Sequence, residues 1–160
     1  MSHREQIMAH LLTAVQAING PPTYTNTVTP NMLLTRDPVN LAEVARGHQV
    51  PAAILEEHEQ IVNSHFEQDS TFVPSALSFS RLHVVILALV VKRGGVNTAL
   101  NAWLEDLLKA IIVDTTRGGA AIDTVFTSVS APREDRAVPD NLAGAEMRFS
   151  VMYSDQHNQL

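Results

Sequence analysis

The 160-residue chain contains no cysteine, so disulfides and thiolate metal sites are excluded at the outset. It also lacks a long hydrophobic run. The longest apolar stretch, Val84 to Val91, falls far short of the roughly 20 residues that cross a bilayer as a helix. The opening Met-Ser-His-Arg-Glu-Gln has no apolar core of the kind that marks a secretory signal, and a cytosolic site of synthesis is the reading these absences favour. Basic charge is scarce as well. Eleven Lys and Arg face seventeen Asp and Glu, a net charge of −6 with neutral His. A general nucleic-acid binder needs a basic face to displace counterions, and this chain is poorly equipped for that. An acidic protein that DNA merely passes remains allowed. There is no internal repeat and no low-complexity tract.

What is present is an ordinary globular composition, 45% apolar and 18% charged, long enough for one domain with a real core. The strongest local signal is Leu82-His83-Val84-Val85-Ile86-Leu87-Ala88-Leu89-Val90-Val91, a β-branched run within a predicted central strand over Leu77 to Val91. The turn Lys92-Arg93-Gly94-Gly95 breaks it. Leu100, Trp103, Leu104, Leu107, Leu108 and Ile111 then recur at helical spacing. Asn97 is the expected N-cap of that helix, and Trp103 is expected in the core.

An earlier helix is signposted by Ser2 and Glu5, an S-x-x-E capping box, and by the face Ile7, Met8, Leu11, Leu12, Val15 and Ile18. Gly20 and Pro21-Pro22 close it. Thr23 to Thr29 favours a strand, which Met32-Leu33-Leu34 could prolong. Thr35 to Val50 is polar and irregular, with a short helix expected at Leu41 to Arg46 between Asn40 and Gly47. Pro51 to Leu55 reads as a strand start that Glu56 to Val62 extends in preference to turning helical. It would pair antiparallel with the central strand. His65 to Ser75 reads as a loop. Ala121 to Ser130 is a short strand, Ala131 to Asn141 a charged loop with prolines, and Met147, Phe149, Val151 and Tyr153 alternate as a half-exposed last strand. The order predicts an α+β fold: an antiparallel sheet with two long helices packed on one face, plus extended loops. Residues 1–153 form a single domain in this reading, with 154–160 a flexible C-terminal tail.

Catalytic patterns are missing. The seven histidines form no H-E-x-x-H or H-x-H array. Glu56, His58 and His83 are the one cluster that could approach a metal, and a solvated strand explains Glu56 and His58 better. Glu105-Asp106 are neighbours on a helix, so they do not face each other; they read as solubilising surface. No serine stands in a G-x-S-x-G elbow. The pairs Gly94-Gly95 and Gly118-Gly119 lack the remainder of a phosphate loop and read as turns. No metal, cofactor or enzymatic activity is therefore expected. Arginine is the exception to this blandness: Arg36, Arg46, Arg93, Arg117, Arg133 and Arg136 all fall in loops or at element ends. Arginine is enriched at interfaces and pairs well with carboxylates. Arg36 with Asp37, Arg46, Arg117, Arg133 and Arg136 are the predicted interface residues.

Three stretches carry a resemblance to a known family. They are Arg4-x-x-Ile7-x-x-x-Leu11, then Asp37-Pro38-Val39-Asn40-Leu41 leading to Val50-Pro51-Ala52-Ala53-Ile54, and last Ala145-Glu146-Met147-Arg148-Phe149-Ser150-Val151-Met152-Tyr153. With the strand–helix kernel they resemble the tail terminator proteins (minor tail or tail completion proteins) of long-tailed, non-contractile bacteriophages. The resemblance implies a structural virion protein, assembled in the host cytoplasm, that forms a hexameric ring. Such a ring caps the tail tube, ends its polymerisation and meets the head–tail connector, while double-stranded DNA passes through the lumen without specific binding. The family has no catalytic residues to carry over. Two rivals stay open: another connector or neck protein of the same particle, and a small metal-binding α+β enzyme.

Overall fold

The computed structural model describes residues 2–47, 49–64, 78–92, 96–134 and 137–154. Helix α1 spans His3–Gln16, strand β1 Leu34–Thr35, helix α2 Leu41–Arg46, strand β2 Ala52–Ser64, strand β3 Ser78–Val91, helix α3 Val96–Ile112, strand β4 Asp123–Ser130 and strand β5 Leu142–Ser154. The five strands form one sheet in the order β1-β2-β3-β5-β4. The expected loop at His65 to Ser75, the Gly94-Gly95 turn and the tail beyond Ser154 lie outside the described residues.

The α+β class holds, with one correction: the sheet is mixed. β2, β3, β5 and β4 are successively antiparallel, but β1 runs parallel to β2, pairing Leu34 with Ala53 and Thr35 with Ile54. The reason is the intervening α2. A helix between neighbouring strands returns the chain to its starting end, which makes the strands parallel. The cap residues of α2 match their signals: the Asn40 side chain accepts from the N–H of Ala42, and Gly47 follows the last turn.

The long β3 run is buried on both faces because two different layers cover it. Leu82, Val84, Ile86, Ala88 and Val90 meet Ile7, Met8, Leu11 and Val15 of α1 and Trp103, Leu107 and Ile111 of α3. Both long helices thus lie on one face, where the 3.6-residue spacing of their apolar positions had put their stripes. On the other face Leu87 and Leu89 join Ile54, Leu142 and the α2 residues Val44 and Ala45 in a smaller cluster. Trp103 is fully buried and donates from Nε1 to the carbonyl of Ala52 at 2.9 Å, so it ties α3 to the start of β2 as well as filling the core.

Local corrections have identifiable causes. Ser2 caps α1 by accepting from the Glu5 N–H, but the helix ends at Gln16, before Gly20. Thr23 to Thr29 is a loop, not a strand. The backbone N–H groups of Thr25 and Asn26 and the Asn26 side chain all donate to the Asp106 carboxylate at 2.8–2.9 Å, so those donors do not enter a ladder. Helix α3 starts at Val96, which places Asn97 inside its first turn. No helix among the described residues is long and apolar enough to cross a membrane.

Candidate functional site

Alternation along β2 sends its acidic residues to opposite sides of the sheet, and each side gathers arginines. On the helix side Glu57 follows Ala53 and Leu55 in the period-2 pattern. Arg36, one residue past β1, reaches back over the sheet edge. Its Nη1 and Nη2 donate to Glu5 Oε1 and Oε2 at 2.6 and 3.0 Å, and Nη2 also meets Glu57 Oε1 at 3.2 Å. Arg4 Nε completes the group at 2.5 Å from Glu57 Oε2. The fork-on-fork pairing with Arg36 lowers the Glu5 carboxyl below its ordinary range and raises Arg36. Glu5, Arg36 and Glu57 edge a shallow depression with Met8, Leu12, Thr35 and Asp37.

On the opposite side a second group spans three strands and a loop. Arg133, in the loop before β5, donates from Nε to Glu146 Oε2 at 3.2 Å and lies 3.4 Å from Glu56 Oε2 through Nη2. Its Nη1 is 2.8 Å from His58 Nε2. An arginine only donates, so Nε2 of His58 is the accepting side of this contact. Arg148 meets Glu146 Oε1 at 3.2 Å and Ser130 Oγ at 2.6 Å. Glu146 is fully buried, with a guanidinium on each oxygen. A buried carboxylate held this way is costly to unpair. It fixes the path of the Arg133 loop across the sheet.

The predicted interface residues therefore divide. Arg36 and Arg133 anchor the two ion-pair groups. Arg46 and Asp37 are exposed, and the Asp37 N–H donates to Thr35 Oγ1. Arg117 is a correction. It is buried, with φ +50°, and its Nη2 donates to the carbonyls of Ile111 and Asp114 at the end of α3. It caps a helix C-terminus, where carbonyls lack partners, and presents nothing to a partner. Burial lowers its pKa, and the charge of Asp114 opposes that. Arg136 lies outside the described residues. Gly118 and Gly119 follow with φ of +66° and +91°, the turn conformation expected of them.

Asp106 is a second correction. The sequence placed it on the solvated side of α3 beside Glu105, yet it is fully buried and holds the Tyr24–Asn26 loop. Only Glu105 stays at the surface, paired with Lys109 at 3.1 Å. The Glu56, His58 and His83 cluster is not arranged for a metal. Glu56 and His58 both face the Arg133 cation, and no group of three or more metal-ligating side chains occurs among the described residues. His58 and His83 instead share a small depression with Thr127 and Arg148.

The remaining surface feature is an edge. β4 is the outermost strand on its side of the sheet, and Val125, Phe126 and Val129 are exposed along it, with Ile112, Val113 and Ile122 nearby in sequence. The alternation of Ala121 to Ser130 carries this signal, but periodicity alone does not say that the strand is outermost. Comparison with family models and with curated proteins finds no match to this chain.

Proposed function

We propose that this protein is a structural subunit of a long-tailed bacteriophage virion, a tail terminator. It works as a ring that caps the tail tube, stops tube growth and meets the head–tail connector. The observation that carries the reading is the open sheet: one surface is sealed by helices, while β4 leaves an apolar strand at an edge. Soluble proteins normally shield such edges with charge, proline or a covering element. Among the described residues no element covers this edge, and Val125, Phe126 and Val129 stay exposed along it, which suits a chain built to meet neighbours.

Two further features support it. Glu5, Glu56, Glu57 and Glu146 are tied to arginines in ion pairs, and His58 lies against Arg133, so these groups hold loops in place. The net charge of −6 suits a lumen wall that a polyanion slides past. Arg46 and Asp37, exposed on the loop and helix between β1 and β2, are available to the tube or connector.

Native mass spectrometry and negative-stain microscopy of the purified chain test this. Closed rings are expected, along with shortened tubes when the chain is added to polymerising tube protein. A monomer at all concentrations, inert toward tubes, rejects the reading. Binding to connector components with no effect on tubes moves the assignment to another neck protein.

A further inference from the structure

We infer that copies of this chain join by continuing the sheet, the β4 edge of one copy pairing antiparallel with the β2 edge of the next. This rests on the ring reading above and names the surface that would close it. The sheet has two ends. β4 forms one. At the other, β1 covers only Ala53 and Ile54, and among the described residues no strand lies outside β2 beyond that point.

The two ends match in level. Across the sheet Asp123 aligns with Met152, Met152 with Arg81 and Arg81 with Ile61; Ser130 aligns with Glu146, Glu146 with Leu87 and Leu87 with Ile54. β4 therefore stands at the height of residues 54–61 of β2, of which β1 pairs only with Ile54 and, among the described residues, no strand pairs with 55–61 on that side. A heterologous contact with no shift along the axis closes into a ring, whereas a shifted one climbs into a filament.

They also match in direction. Three antiparallel steps separate β2 from β4, so the two strands run oppositely. Rotation about an axis along the strands preserves direction, and β4 of one copy then meets β2 of the next as an antiparallel pair. Each edge carries one irregularity, at Phe126/Ser128 and at Glu57/Glu59. Traced across the sheet, both adjoin the row of Val84. A bulge adds local twist, so two edges bulged at nearly the same height bend together. At equal height Val125 falls opposite Glu59 and Val129 opposite Leu55. An unrelated partner has no need for one chain's two edges to agree in height, direction and bulge. A second copy of the same chain does. Pairing of β4 with another β4 would leave the β2 edge unused and stop at a dimer.

The absence of native cysteine makes the test direct. Glu59→Cys combined with Val125→Cys, oxidised, is expected to give a ladder of covalent multimers ending at the ring, with either single variant uncrosslinked. Covalent dimers from Val125→Cys alone overturn the inference in favour of a two-fold β4 contact. Rings in the microscope with no crosslink in the double variant overturn it while leaving the ring reading intact. No rings and no crosslinks reject both. Val125 is 51% exposed, so Val125→Lys is expected to keep its melting temperature and weaken association by about tenfold or more; unaltered association overturns the edge contact.

Discussion

The two faces of the sheet are held by different forces, although the same strands supply both. On the helix face β3 offers Leu82, Val84, Ile86 and Ala88 to α1 and α3, and every one of these side chains is fully buried. The contact is apolar and non-directional, and its strength scales with area removed from water. On the opposite face the end near α2 is dry, through Leu87, Leu89, Val44 and Ala45. Farther along, the same face is organised by Arg133, Glu146, Arg148, Glu56 and His58. Those contacts are directional. They add less stability per group than core burial, because the arginines stay partly solvated, but they specify where a loop runs. The first face carries the fold and the second positions surface.

That division can be broken at its strongest point. Trp103→Ala removes the largest side chain of the helix face together with its hydrogen bond to Ala52. Denaturant unfolding should show a loss of about 3–5 kcal/mol, and a loss under about 1 kcal/mol would contradict its place in the core. Asp106→Asn comes next. It puts an amide against three N–H donors that now share a carboxylate, and should cost about 2–3 kcal/mol. Its signature is faster hydrogen exchange at Thr25 and Asn26, which a general core defect would not confine there.

On the other face Glu146→Gln should cost less, about 1–2 kcal/mol, since solvent compensates the freed arginines. Arg133→Ala in the same chain should then add little, because the two changes break one shared contact. Full additivity in that double-mutant cycle would show that Arg133 and Glu146 act separately. The smallest effect is expected from acid. Hydrogen bonds from the Thr116 hydroxyl and the Gly118 N–H lower the Asp114 carboxyl from 3.8 to about 2. The unfolded chain takes up that proton first, so the contribution of Asp114 is complete above about pH 4 and lost as pH falls toward 2. His10, lowered by burial and then by the charge of Arg117, acts in the same direction beginning below its ordinary pKa of 6.5. A melting temperature rising from pH 2 to pH 4, and flatter in Asp114→Ala, is the expected profile. An identical slope in the variant would remove Asp114 from the account.

Much of the fold was legible as pattern. The capped starts of α1 and α2, the stripes of α1 and α3, the β3 run and the alternating β5 all follow from side-chain periodicity, which is a local property. The hairpin of β2 with β3 followed as well, as did the extension of β2 through the Glu56–Val62 stretch. The candidate surface was legible only in part. Arginine at element ends pointed to Arg36 and Arg133, and both proved to be anchors of ion-pair groups. Arg117 looked the same in sequence, yet it turned inward because its neighbours at the end of α3 are unpartnered carbonyls. Asp106 and Glu146 gave no warning of burial, since what pairs with them is a loop some 80 residues distant for one and, for the other, Arg133 of the preceding loop together with Arg148 two positions along β5.

The amino-acid sequence by itself set which segments coil and which extend, because spacing of apolar residues and the capping and turn residues act within a few positions of one another. Only the tertiary structure decided that β1 runs parallel to β2, that Asp106 and Arg117 face inward, and that β4 ends the sheet at the far side from β1. Those outcomes depend on which distant segments come to lie side by side. A carboxylate or a strand edge has no fixed role until the fold assigns its neighbours.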